Sequence, residues 1–173
     1  RGPKHRGQPQ MRGPVAEQRG DNLQVLRQAR LWLGTPYLHQ ASCLGAGCDC
    51  LGLVRGIWRA LHLQEPEQPP GYSMDWSEPQ GQELLWQAAL RHLVPKPVAD
   101  AALGDVLLFR MRAGAVAKHL GIQSRCVTQD GEAQSQGAAF IHAYSARGVV
   151  ESALTPSWHR RVVARFTFPE ELN

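Results

Sequence analysis

Apolar residues recur at helical spacing through the first half of the chain and at strand spacing through the second. Leu23, Leu26, Ala29 and Leu33 mark one side of a helix that Asp21 or Asn22 can cap and that Gly34-Thr35-Pro36 stops. Leu53, Val54, Ile57 and Leu61 mark the inner side of a second helix, predicted to begin at Asp49 or Cys50 and to end near Leu63. A third helix is predicted over about Gln82 to Leu93, with either Leu85, Ala89 and Leu93 or Leu84 and Ala88 turned inward, and Pro95 and Pro97 ending it. Residues 64–81 between them are a Pro-rich connection in which Tyr72 and Trp76 are embedded; a long ordered loop bearing aromatics often borders a cleft.

From residue 104 the period changes. Val106–Phe109, following a turn at Gly104-Asp105, and His119–Ile122 read as strands. Phe140–Tyr144 and Gly148–Glu151 read as a hairpin around Ser145-Ala146-Arg147, and Arg161–Phe168 closes the set in clean alternation. Helices first and strands afterwards predict an α+β domain, with N-terminal helices packed on a C-terminal antiparallel sheet of about five strands. No internal repeat and no second domain is visible, so residues 21–173 read as one domain.

The chain has 173 residues, enough for one domain with a real core. Its formal net charge of +4 is carried by the first 20 residues, where Arg1, Lys4, Arg6, Arg12 and Arg19 face Glu17 alone. That segment, rich in Gly, Pro and Gln, is expected to be a disordered basic tail. Met11 is a candidate start. The rest of the chain is charge-balanced, so the basic stripe that a nucleic-acid-binding face would need is missing and no nucleic-acid partner is expected. No apolar run approaches the ~20 residues of a membrane span, and no signal peptide is visible.

Four cysteines, Cys43, Cys48, Cys50 and Cys126, are expected to be free thiols, since a domain of this size does not need disulfides. Cys50 opens the second helix behind Gly45 and Gly47. A helix N-terminus offers unpaired N–H groups and partial positive charge, which predicts a favoured thiolate and a nucleophile near neutral pH. The competing assignments are Cys48, which precedes the helix start, and a small buried hydrophobe with no chemistry. Downstream, His119 shares a strand face with Gly121 and Gln123 and is a candidate general base; a surface histidine is the bland alternative. His142, between Ile141 and Ala143, is either a satisfied core histidine or the third polar group that orients a catalytic imidazole. A metal site from Cys48, Cys50, His119 and His142 is possible by ligand type, but the Cys48/Cys50 spacing is poor for zinc and no metal or other cofactor is expected. Asp105 reads as a turn brace.

These residues resemble a known family. Asp49-Cys50-Leu51-Gly52-Leu53-Val54 at a helix start, His119-Leu120-Gly121-Ile122 and Ile141-His142-Ala143, in that order, resemble the NlpC-type cell-wall cysteine peptidases over about residues 21–168. The resemblance implies a papain-like fold and cleavage of peptidoglycan stem peptides, typically between D-γ-glutamate and diaminopimelate. Carried over position by position, it implies Cys50 as nucleophile, His119 as base, His142 as orienting residue and Tyr37 as a side chain that borders the site and helps hold the oxyanion. Leu51 departs from the pattern, since most members have Ser after the nucleophile.

The longer stretches Gly47–Gly56, Leu107–Arg112 and Lys118–Ile122 look like the subgroup found in tail modules of phages and gene transfer agents. That subgroup implies tail or baseplate proteins as partners and a phage-like tail as the location, acting at the periplasmic wall. Two other functions stay open: an amidase or acyltransferase of the same fold, and a catalytically silent tail-tip component.

Overall fold

The computed structural model describes residues 14–62, 64–69, 71–73, 80–127 and 137–170. The predicted helix end near Leu63, the tail before residue 14 and Trp76 lie outside the described residues. The first helix, α1, spans Pro14–Leu31 and so starts well before Asp21. Proline suits a first helical position because its missing N–H needs no partner there, and Gly20 costs only about 1 kcal/mol inside a helix. The tail predicted through residue 20 is therefore helical from Pro14. The inner side of α1 also differs from the predicted stripe. Val25, Leu26 and Ala29 are buried, as is Trp32 just past the helix end, whereas Leu23 and, past the end, Leu33 are exposed.

Two short strands, β1 (Ser42–Cys43) and β2 (Gly47–Cys48), make a small hairpin inside the segment predicted as loop. Helix α2 (Cys50–His62) follows directly. It buries Leu53, Val54 and Ile57 against the sheet, and two glycines let other segments lie against it. A Cβ at Gly52 would stand 1.8 Å from the Ala41 carbonyl oxygen, and one at Gly56 would stand 2.0 Å from the Trp32 ring. Helix α3 (Leu84–His92) turns Leu85 and Ala89 inward, which selects the first of the two predicted faces.

The sheet consists of β3 (Val94–Lys96), β4 (Val106–Arg110), β5 (Ala117–Arg125), β6 (Ala139–Tyr144), β7 (Gly148–Ala153) and β8 (Val162–Thr167). Its order is β3-β8-β4-β5-β6-β7, antiparallel throughout. The α+β class is as predicted, with six strands among the described residues where about five were expected. The extra strand is β3, whose Pro95 reads as a helix stop; a proline is tolerated there because β3 is an edge. A short helix, α4 (Pro156–His159), capped by the Thr155 hydroxyl, was also not predicted.

One sheet face packs on α1, α2 and α3 through Val106, Leu108, Leu120, Ile122, Ile141, Val149 and Phe166. Leu107, Phe109 and Phe140 alternate with these and form a second apolar cluster with Met111, Leu154, Trp158 and Val162. Arg165, which the alternation of β8 would send outward, is buried. Its Nη1 donates to Asp105 Oδ2 and Gln123 Oε1, both at 2.9 Å, and Lys96 also meets Asp105. Asp105 thus braces the sheet, as its turn position predicts.

Candidate active site

Cys50 is the first residue of α2, and the preceding Asp49 caps that helix. Asp49 Oδ1 accepts the Gly52 N–H at 2.7 Å, the geometry of an N-cap aspartate. Its Oδ2 accepts the Gln40 N–H at 2.7 Å and the Tyr72 hydroxyl at 2.5 Å. The Tyr72 carbonyl in turn accepts from Gln40 Nε2 at 2.6 Å and lies 2.9 Å from His39 Nε2. The loop before Cys50 and the Pro-rich connection are thereby stapled together over the helix start. Asp49 does more than complement the helix dipole, and its neighbours Gln40 and Tyr72 carry no sequence signal for that role.

Tyr37 is placed by backbone bonds. It bridges Cys48, with the Leu38 N–H donating to the Cys48 carbonyl and the Cys48 N–H to the Pro36 carbonyl, both at 3.0 Å. A cleft of about 220 Å³ opens where β5 begins and β6 ends, lined by Tyr37, His39, Asp49, Cys50, Tyr72, Met111, Lys118, His119, Ala143, Tyr144 and Ser145. At this end of the sheet Cys50, on the helix side, and His119, on the Phe109 side, reach the same space. His142 stands behind His119, with His119 Nε2 2.7 Å from His142 Nδ1. Cys48 is fully buried and does not line the cleft. Among the described residues no three His, Cys, Asp or Glu side chains group as a metal site.

Cys50 is 8% exposed, and its thiol donates to the Lys118 carbonyl at 3.9 Å, one residue before His119. Burial pushes the thiol up to about 12, and the Asp49 carboxylate adds to this; the backbone N–H groups of Leu120, Leu51 and Cys50 pull the other way. This direction runs against the favoured thiolate expected from the helix start: desolvation and an adjacent carboxylate outweigh the N–H groups. Burial also holds His119 down to about 3, helped by His142, and His142 down to about 4. Burial raises Tyr37 to about 12, with Cys50 the next contributor. Each of these shifts favours the uncharged form of its group.

An aromatic wall encloses the imidazoles. The Trp158 ring on α4 lies 5.8 Å from His119 and 5.3 Å from His142, and Phe140 lies 4.3 Å from His142. A larger apolar cavity of about 310 Å³ lies beyond Tyr72, between α2, α3 and the Pro-rich connection. A neutral thiol that shares a cleft with a neutral imidazole can react by passing its proton to the ring as the sulfur attacks.

No family model matches the sequence, and no curated protein matches it. Solved structures do resemble it. A protein similar to a lipoprotein of the NLP/P60 family from Staphylococcus aureus subsp. aureus Mu50 superposes with a TM-score of 0.55 at 16% identity, over 88% of this chain and 42% of that one. The NlpC/p60 domain of the peptidoglycan hydrolase SagA gives 0.54 at 18% identity, over 85% of this chain and 98% of that domain. Ly7917 gives 0.51 at 13% identity, over 86% of this chain and 62% of that one. The chain spans less than half of the staphylococcal structure and nearly all of the SagA domain. The likeness is one of fold: the α+β architecture is that of the NlpC/P60 structures.

Proposed function

We propose that this chain is a cysteine endopeptidase of the NlpC/P60 type that hydrolyses peptidoglycan stem peptides, at the D-γ-glutamyl–diaminopimelate bond. The observation that carries this reading is the shared cleft of Cys50 and His119, with His142 hydrogen-bonded behind His119. The fold likeness to a peptidoglycan hydrolase domain supports the substrate class.

In the proposed reaction the Cys50 thiol turns from the Lys118 carbonyl toward His119 and gives its proton to Nδ1 as the sulfur attacks the peptide carbonyl. The Tyr37 hydroxyl and the Cys50 N–H hold the oxyanion. His119 then passes the proton to the leaving amine, and a thioester forms on Cys50. Water, activated by His119, hydrolyses the thioester. No cofactor enters these steps. The segments Gly47–Gly56, Leu107–Arg112 and Lys118–Ile122 support a place in the tail of a phage-like particle, with tail or baseplate proteins as partners and the periplasmic wall as the site of action.

The apolar cavity beyond Tyr72 favours a second reading, amide hydrolysis or acyl transfer on a substrate with an aliphatic group. Digestion of diaminopimelate-type peptidoglycan, with fragments identified by mass spectrometry, separates the two. Fragments ending in γ-glutamate and beginning with diaminopimelate support the endopeptidase. Release of intact stem peptides from the sugar, or of acylated products, would replace it.

A further inference from the structure

The hydrogen-bond chain behind His119 does not stop at His142. On the far side of that ring, His142 Nε2 lies 2.8 Å from Ser152 Oγ. The β6/β7 register explains the contact. His142 pairs with Val150 and Phe140 with Ser152, so Ser152 is a diagonal neighbour on the face that His142 occupies. His142 is 1% exposed, and Phe140 and Trp158 flank its ring.

Two neutral imidazoles in series can be written in two directions. In the first, His119 Nε2–H donates to His142 Nδ1 and His142 Nε2–H donates to Ser152 Oγ. His119 Nδ1 then carries a lone pair and can take a proton from Cys50. In the second, the Ser152 hydroxyl donates to His142 Nε2, His142 Nδ1–H donates to His119 Nε2, and His119 Nδ1 already carries hydrogen. That arrangement cannot act as a base. A serine hydroxyl can accept or donate, so both directions satisfy the 2.8 Å contact, and only the first leaves His119 able to take a proton.

We propose that Ser152 is a positioning residue: its oxygen accepts His142 Nε2–H and so keeps His119 Nδ1 free for the Cys50 proton. The role rests on the reading of Cys50 and His119 given above. When His119 takes the proton, its Nε2–H still donates to His142, so no proton passes to Ser152 and the balance closes between Cys50, His119 and the leaving amine.

The test uses the full chain labelled with ¹⁵N-histidine, as intact protein, Ser152→Ala and Ser152→Thr, with nitrogen shifts reporting the His119 tautomer and steady-state kinetics on a soluble stem peptide. In the intact protein His119 is expected to be protonated on Nε2, and an Nδ1–H form there overturns the proposal. Ser152→Ala is expected to populate the Nδ1–H form and lower kcat by roughly ten- to a hundredfold, the scale on which second-layer partners of a functional histidine act, with KM within about twofold. Ser152→Thr, which keeps the hydroxyl, restores both readouts. A Ser152→Ala protein with unchanged tautomer and kcat overturns the proposal, as does a folded Ser152→Thr that behaves like alanine. The tautomer readout needs no substrate. An intact protein that cleaves no stem peptide, yet whose His119 tautomer follows Ser152, supports the positioning role and overturns the peptidase reading.

Discussion

His119 Nε2 lies 2.7 Å from His142 Nδ1, between strands β5 and β6, so the ring that shares a cleft with Cys50 is held by a second ring. This contact fixes the rotation of His119 about its side-chain bonds. It follows that His142→Leu, which removes the contact and keeps an apolar side chain, lowers kcat by about a hundredfold or more, the scale on which a misplaced base costs an enzyme. His142→Gln, which can still accept from His119, loses less. Steady-state kinetics on a stem peptide checks both, and full activity in His142→Leu would show that the pair is structural only.

Two imidazoles buried without charge make stability depend on pH. Burial places His119 at about 3 and His142 at about 4, against about 6.5 for an unfolded histidine. Between about 6.5 and about 4 for His142, and down to about 3 for His119, the unfolded chain binds more protons than the folded one, so stability is fully present above that window and is lost as pH falls through it. Each ring contributes up to about 1.4 kcal/mol per pH unit. Cys50 adds an alkaline limb of opposite sign, since its folded value of about 12 exceeds the ordinary 9.0; stability therefore declines as pH rises above about 9. Urea midpoints measured from pH 4 to pH 10 are expected to show both limbs, with the acid limb shallower in His142→Gln.

The close approach at Gly52 gives a stability prediction. An added Cβ meets the Ala41 carbonyl oxygen at 1.8 Å and carbon at 2.9 Å, which are backbone atoms that cannot swing aside. Gly52→Ala must push the 34–49 loop away from α2 and loosen the Asp49 cap, at a cost of about 3 kcal/mol. Gly71→Ala, where a Cβ meets nothing within 4 Å, is the control. Thermal unfolding of the two variants should separate them by many degrees, and equal melting temperatures would mean that the loop does not rest on the helix.

Much of this was legible in the sequence because it depended on local pattern. The helix start at Cys50, the strands carrying His119 and His142, and the turn at Ser145-Ala146-Arg147 follow from spacing and turn chemistry alone. What escaped depended on long-range partners. Arg165 reads as an outward strand residue until Asp105 and Gln123 are seen around it. Ser152 needs the β6/β7 register, and Trp158 needs α4 to fold back over the imidazoles. The thiol of Cys50 is governed by burial and by Asp49, neither of which a helix-start argument weighs. Spacing points to Cys50, His119 and His142 and the family resemblance adds Tyr37; the structure puts Cys50, His119 and Tyr37 on one cleft with His142 directly behind.

The most direct test of the central claim is release of labelled fragments from purified diaminopimelate-type sacculi by the reduced protein, with Cys50→Ala and Cys48→Ala beside it. Cys50→Ala is predicted to abolish release while Cys48→Ala, whose side chain lies outside the cleft, retains it once folding is confirmed by its thermal transition. Release that persists in a folded Cys50→Ala protein would contradict the account.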